Sequence, residues 1–274
     1  MRTETLDELV DLVRTTPHLS IVGGDTQGAW RLRTEASAPR VSVRLSGIVE
    51  HDVADQVVVV RTGTTLAELQ FELGKHGQCL PICPVVPLAP GATLGGMVSL
   101  NLAHALESRF GAWRDWIVGA TVVRPDGTVA RCGSKVVKSV AGYDVMKLFV
   151  GARGTLGVLT ELILRTCPVK ALPKPDLIIH RDFGAAGWVQ RTLRSDFDKA
   201  CQAAGEQLLA ASPGSSTLYL SGKPQRFPED KLVGWGQGAQ NLQIEDATLR
   251  QTMRRAKNAL DPEAKLNAGE FGFL

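Results

Sequence analysis

The sequence predicts an α+β fold, and three observations lead there. Segments of strand and helix character follow one another without the regular βαβα alternation of a doubly wound sheet. The run Gly151-Ala-Arg-Gly154-Thr-Leu-Gly157 departs from G-x-G-x-x-G and leads into a strand instead of following one, so it is not a dinucleotide fingerprint. The 274 residues suffice for one or two domains with a sizeable core.

Leu6, Leu9, Val10 and Val13 recur at helical spacing and predict a helix over 4–15. Leu19 to Val22 is a short apolar run that stops at Gly23-Gly24-Asp25-Thr26-Gln27-Gly28, a buried strand ending in a tight loop. Val41 to Leu45 alternates as a strand, and Gln56 to Arg61 is a β-branched run of a buried one. Thr65 followed by Glu68 is a capping-box signature; Leu66, Leu69 and Leu73 continue the helix, with Gly77 as its stop. A Pro-rich loop runs from Pro81 to Pro90, and Thr93 to Asn101 reads as a loop entering a helix. Ile117 to Arg124, Pro125-Asp126-Gly127 and Thr128 to Cys132 read as a hairpin. Tyr143 to Val150 predicts a short helix and Val158 to Thr166 a long strand.

Leu172-Pro173-Lys174-Pro175 reads as a linker. Beyond it the patterns thin: strands at Leu177 to His180 and Thr217 to Leu220, a helix around Phe197 to Ala210, and a last helix from Asp246 to Leu260, stopped by Pro262. No repeat or low-complexity tract is present.

A net charge of +3 without a Lys/Arg run gives no footing for nucleic acid. No stretch has the apolar length of a membrane span, and the N-terminus lacks the basic start and apolar core of a signal peptide. The expectation is a cytoplasmic protein. Five cysteines, with only Cys79 and Cys83 close in sequence, read as free core thiols; Cys79-Leu-Pro-Ile-Cys83 has the wrong spacing for a zinc knuckle, and no metal site is assigned.

Three glycine-rich segments are the candidates for chemistry. Gly23 to Gly28 can turn backbone amides toward one phosphate, although a plain tight turn would look the same. Pro90-Gly91-Ala92-Thr93-Leu94-Gly95-Gly96 permits close backbone approach and opens a helix whose N-terminus would favour an anion; close helix–sheet packing explains those glycines equally well. Gly151 to Gly157 is the third. Around them, Arg131, Lys135, Lys138 and Lys147 form either a basic patch or solvated surface with a local Lys147–Asp144 pair. Tyr143 is a stacking candidate or a core tyrosine, Trp113 and Trp116 anchor a helix or an interface, and Ser99 and Ser134 lack a hydrolase context.

At these segments the chain resembles a known family. Gly23-Gly24-Asp25-Thr26, then Ala92-Thr93-Leu94-Gly95-Gly96-Met97, then Tyr143 to Leu148 with Gly154-Thr155-Leu156-Gly157-Val158-Leu159 are similar, in order, to the motifs of the vanillyl-alcohol-oxidase or PCMH-type FAD-binding fold. Val136 to Asp144 resembles the signature of the glycolate oxidase FAD-binding subunit, and Leu260-Asp261-Pro262 with Leu266-Asn267-Ala268-Gly269 resembles the family's closing motif. The resemblance implies a two-subdomain FAD-binding domain over 1–170 and a shortened cap over 171–274. It places Gly23, Gly24, Asp25, Thr26, Gln27 and Gly28 on the FAD pyrophosphate, and Pro90, Gly91, Thr93, Leu94, Gly95 and Gly96 along the flavin and diphosphate. Arg109, Gly111 and Asp115 would pass the cofactor, and Gly157, Val158 and Leu159 would meet its adenine or ribityl part. No catalytic side chain is assigned.

Relatives that attach flavin covalently use a histidine in the first loop; Asp25 stands here and His18 precedes the strand, so noncovalent FAD is expected. The resemblance implies a redox subunit of a 2-hydroxy-acid (glycolate or D-lactate) oxidase complex. Its partners would be a homologous catalytic flavoprotein subunit and an iron–sulfur subunit, with membrane association only through the complex. A self-sufficient FAD oxidoreductase of a small alcohol or sugar is the alternative. A flavin-free scaffold is another, its hint being the acidic Asp25 in a loop meant for phosphate.

Overall fold

The computed structural model describes residues 1–26, 38–84, 90–102, 104–135, 144–173, 178–179, 187–214, 216–223, 225, 231–235 and 247–269. Gln27, Gly28, Lys138, Tyr143 and the run 136–143 lie outside the described residues.

The chain opens with β1 (Arg2–Thr3), α1 (Leu6–Thr15), β2 (Ser20–Val22) and β3 (Arg40–Val43). The three strands form a parallel sheet in the order β1-β3-β2. α1 begins at Leu6 because Thr5 caps it: the Glu8 amide donates to Thr5 Oγ1, and the Glu8 carboxylate accepts from the Thr5 amide. Its buried face, Leu9, Val10 and Val13, packs with Leu19, Val41 and Val43 into a small core.

A second unit follows: β4 (Ile48–Asp52), β5 (Val57–Arg61), α2 (Leu66–Gly74), β6 (Gln78–Cys79), α3 (Leu94–Leu100), α4 (Glu107–Phe110), α5 (Trp113–Trp116), β7 (Ile117–Val123), β8 (Val129–Gly133), β9 (Val158–Arg165) and β10 (Cys167–Pro168). Its antiparallel sheet runs β4-β5-β9-β7-β8. The β-branched β5 sits beside β9 with Val58 and Val60 fully buried, and Leu69, Leu73, Leu94 and Met97 of α2 and α3 cover that core. The Tyr143–Val150 expectation resolves into a 3₁₀ turn at Val145–Phe149. Trp113 and Trp116 are interior anchors, their indole N–H groups donating to Leu102 O (3.1 Å) and Phe110 O (2.8 Å). Lys147 pairs with Asp144.

The capping box expected at Thr65 is present, with the Glu68 amide on Thr65 Oγ1 (3.2 Å) and the Thr65 amide on Glu68 Oε2 (2.8 Å). Thr65→Ala is expected to cost about 1 kcal/mol. In a thermal melt that is a fall of roughly 2–4 °C for a chain of this size; an unchanged midpoint would show the cap to be idle.

Cys79 meets Cys167, not Cys83: β6 and β10 pair these two residues directly, with the sulfurs 3.6 Å apart. Both are free thiols, and burial pushes Cys79 up to about 12.

The third unit holds β11 (Ile178–Ile179), β12 (Gly187–Arg191), α6 (Phe197–Ala204), β13 (Leu208–Ser212), β14 (Thr217–Leu220) and β15 (Lys231–Trp235) in an antiparallel sheet ordered β11-β13-β14-β12-β15. The single helix expected over Phe197 to Ala210 is corrected here. Gly205 leaves the helix at φ +50° and ends α6, and Leu208 to Ser212 pair with β14 and β11. α6 covers one face of the sheet through Trp188, Leu218 and Leu220. The chain closes with α7 (Ala247–Leu260). Its end does not stay with the third unit. Leu266 bridges Leu19 in parallel and joins the α1 core, so the C-terminus extends the first sheet beyond β2.

Candidate functional site

The first two units face each other across a cleft with an empty volume of about 760 Å³, open solvent at its mouth included. Gly23, Gly24, Asp25 and Thr26 form one wall, at the carboxyl end of β2. Thr93, Gly95 and Gly96 contribute from the start of α3, and Gly157, Val158 and Leu159 from the start of β9. Segments more than a hundred residues apart in sequence therefore share one concavity.

Two glycines show how tightly the first loop is built against the second. A Cβ on Gly23 would lie 2.2 Å from Thr93 Oγ1, and one on Gly24 would lie 1.9 Å from the Gly91 carbonyl oxygen. Gly91 thus packs against the loop, and neither Pro90 nor Gly91 is among the residues lining the cleft. Leu94 is fully buried in the hydrophobic core.

The anion-favouring helix end expected at α3 is corrected by its hydrogen bonds. The amides of Leu94 and Gly95 donate to Thr64 O and Thr62 O, both at 2.9 Å, and the Gly96 amide donates to Thr93 Oγ1 (3.3 Å). The first-turn donors of this seven-residue helix are spent inside the protein, leaving little for an anion. The first loop differs. Among the described residues, no acceptor engages the amides of Gly24, Asp25 or Thr26, and Asp25 adopts the left-handed conformation at φ +53°. A loop of small residues on a cleft wall, its amides without an acceptor among the described residues, has the composition a phosphate nest needs.

Asp25 does not leave a bare negative charge there, because its carboxylate pairs with the Arg40 guanidinium of β3. Both side chains are about half exposed, so the pair adds little to stability. Its effect is to offset the charge of Asp25 beside the nest.

Arg109, Gly111 and Asp115 lie outside this lining. Arg109 is exposed on α4. Asp115 accepts from the Ala112 amide (2.9 Å) at the start of α5, and Gly111, at φ +83°, leaves room for that carboxylate. Gln27 and Gly28 are outside the described residues. Sequence reading missed Thr62, Ser99 and Arg153, which also line the cleft. Thr62 follows β5 and donates to Leu159 O (2.8 Å), tying the start of β9 to the cleft. Arg153 is only 9% exposed at φ +53°, in the turn before β9. Neither carries a compositional signature; the glycines at 151 and 154 were the available signal for Arg153.

A second polar cluster lies where α4 meets the sheet face opposite α6. Arg191 of β12 donates to Glu107 Oε2 at 2.7 Å. His104 is 2% exposed and bonds Gly111 O through Nε2 (2.9 Å), while Nδ1 has no partner among the described residues. Burial holds His104 below its ordinary value, and the Glu107 charge opposes that shift. Tyr219 of β14 is buried beside them; burial pushes its hydroxyl up, with Arg191 and Glu107 acting on it in opposite directions.

Comparison with known proteins gives this architecture its place. The FAD binding domain family matches residues 1–133. Glycolate oxidase subunit GlcE of Escherichia coli (strain K12) is 30% identical in an alignment 271 positions long that covers 83% of this chain and 76% of that protein. The mitochondrial D-lactate dehydrogenase (cytochrome) of Arabidopsis thaliana is 40% identical over 113 residues, 41% of this chain but only 19% of that enzyme. Among solved structures, alkyldihydroxyacetonephosphate synthase superposes with a TM-score of 0.52 over 75% of this chain and 36% of its own, at 19% identity, which is a likeness of fold. With three glycine-rich segments meeting at one cleft and a relative aligned over most of its length, the chain belongs to the PCMH-type FAD-binding oxidoreductases, in the family of the glycolate oxidase FAD-binding subunit.

Proposed function

We propose that the chain is the FAD-carrying redox subunit of a 2-hydroxy-acid oxidase or dehydrogenase complex, passing electrons from a homologous catalytic flavoprotein subunit toward an iron–sulfur subunit. The observation that carries this reading is that Gly23–Thr26, Thr93, Gly95, Gly96 and Gly157–Leu159 line one cleft together. The alignment with a protein named as a glycolate oxidase subunit supports the rest. The amides of Gly24 to Thr26 would hold the pyrophosphate, with Arg40 offsetting the Asp25 charge. Thr93, Gly95 and Gly96 would line the flavin and diphosphate, and Gly157 to Leu159 the adenine or ribityl part. Bound there, FAD supplies hydride and one-electron chemistry. The complex would bring an otherwise cytoplasmic subunit to the inner face of the membrane.

Attachment is expected to be noncovalent. The described part of the first loop, 23–26, holds no histidine, and His18 lies before β2. The test is the absorption spectrum of the purified chain, followed by acid precipitation, with a parallel pull-down from its source cells. Flavin bands that survive desalting, yellow colour released to the acid supernatant and a co-purifying iron–sulfur protein are the expected results. Flavin retained in the pellet would refute the noncovalent reading. A chain that leaves the cells alone and colourless would refute the redox-subunit reading.

A self-sufficient oxidoreductase is the second reading, favoured by the His104–Glu107–Arg191–Tyr219 cluster. Those groups bring polar and titratable side chains of the third unit's sheet against α4 of the second unit. Turnover of a small alcohol or 2-hydroxy acid by the isolated chain with an artificial electron acceptor would favour it over the first.

A further inference from the structure

Among the described residues the C-terminal segment contributes none to the cleft lining, yet it ties two of its walls together. Residues 265–267 lie alongside β2: the Leu19 amide donates to Lys265 O, and the Asn267 amide donates to Leu19 O, both at 2.8 Å. At the next position the backbone pairing stops and the Asn267 carboxamide takes over. Its Oδ1 accepts from the Ile21 amide (2.6 Å), and its Nδ2 donates to Ile21 O (3.3 Å) and, across the gap, to Arg153 O (2.7 Å). Ile21 and Arg153 both line the cleft, one at the root of the Gly23–Thr26 nest and the other in the turn leading to Gly157–Leu159. A Cβ on Gly154 would come within 2.7 Å of Asn267 Nδ2, so the turn is shaped to seat this carboxamide.

Asn267 is itself held. It is 2% exposed and left-handed at φ +45°, a conformation asparagine tolerates better than most residues. One residue earlier, Leu266 O accepts from Lys257 Nζ of α7 (2.9 Å), and the same ammonium donates to Thr155 O (2.7 Å) in the cleft turn. Two side chains, Lys257 and Asn267, therefore grip the Thr155 and Arg153 carbonyls of the 153–155 turn.

We propose that Asn267, backed by Lys257, is a positioning residue for FAD: it sets the spacing between the phosphate nest and the 153–157 turn without touching the cofactor. The inference rests on FAD occupying this cleft. FAD affinity then depends on a residue 246 positions from its hydrogen-bond partner Ile21. By reciprocity, bound FAD strengthens the grip of the C-terminal segment on β2.

The test titrates FAD into Asn267→Ala, with Leu9→Ala as the control. Leu9 is fully buried in the same small core, on a helix that lines no part of the cleft. Asn267→Ala is expected to weaken FAD by about tenfold or more, a coupling of ordinary size between linked sites. Leu9→Ala should lower the melting temperature at least as much while leaving FAD affinity within a factor of about two. Hydrogen exchange on the unaltered chain gives a readout independent of any variant's folding: FAD should slow the Ile21 and Asn267 amides more than that of Leu218 in the third unit. Asn267→Ala with the parent's affinity, equal losses in the two variants, or equal protection at the three amides would overturn the inference. A parent chain that takes up no FAD overturns the cofactor reading as well; a parent that binds FAD beside an equally tight Asn267→Ala overturns this inference alone.

Discussion

Gly24→Ala is expected to lose FAD by about 100-fold or more, roughly 2.7 kcal/mol, and to emerge colourless from a desalting column. The reason is geometric. The added Cβ would stand 1.9 Å from the Gly91 carbonyl oxygen and 2.9 Å from its carbon. Both belong to backbone, so no side chain can swing aside. Either the nest must lift from the second glycine segment or that segment must retreat from α3. Each would displace the amides of Gly24 to Thr26, which have no acceptor among the described residues, and a nest works only while its donors point at one anion. The appropriate control is Gly74→Ala. Gly74 ends α2 with nothing within 4 Å of its would-be Cβ, and alanine there should bind FAD like the parent with a slightly higher melting temperature. Fluorescence titration of both variants decides the matter: a Gly24→Ala chain with undiminished affinity would remove the nest from the cofactor site.

What could be read in advance follows from how locally each feature is encoded. α1 and α2 announce themselves because capping and apolar spacing lie within a few residues, Thr5 with Glu8 and Thr65 with Glu68. The 117–133 hairpin is legible through its Pro-Asp-Gly turn, and β5 through its four consecutive valines. β12 and β13 are not. Gly187 to Arg191 has no clean alternation, and Leu208-Leu-Ala-Ala-Ser212 looks like continuing helix until Gly205 breaks it and neighbouring strands claim the segment. The site divides in the same way. Gly23 and Gly24 are legible because small residues after a strand are rare enough to notice. The spent amides of α3 are not, because their acceptors, Thr62 O and Thr64 O, lie some thirty residues upstream. Thr62 and Arg153 reach the cleft only through the pairing of β5 with β9 and the turn before β9, which are tertiary facts. The Arg40 partner of Asp25 likewise lies on a neighbouring strand. It removes the repulsion that made a flavin-free scaffold worth considering.

Asp261→Ala is expected to be the most destabilising of the single substitutions considered, because it strips the counter-charge from a buried ammonium. Lys257 and Asp261 are 3% and 1% exposed, and their charged atoms meet at 2.5 Å. The carboxylate also accepts from the amides of Lys265 (3.0 Å) and Leu266 (2.8 Å). Removing it leaves two buried amides without an acceptor and a cation with only two carbonyls. Breaking one partner of such a pair costs about 3–5 kcal/mol, which is a fall of roughly 6–20 °C in melting temperature here. The pH dependence distinguishes this cause from a simple cavity. In the parent, burial lowers the Lys257 pKa from 10.5, while the hydrogen bond and charge of Asp261 pull it back up. Without Asp261 the native value drops further, and the unfolded chain holds the proton over a wider span. Where the unfolded state binds more protons, stability rises with pH. The deficit of Asp261→Ala should thus be full on the acid side of the depressed native Lys257 value for as long as the parent keeps its counter-charge, and shrink as pH climbs through that value toward 10.5. Adding Lys257→Met should recover part of the loss at neutral pH, because a buried methionine carries no charge to strand. Urea unfolding of parent, single and double variants at neutral and alkaline pH measures all three quantities. A deficit that stays constant with pH, or a double variant less stable than the single one, would mean that packing and not the stranded charge makes Asp261 necessary.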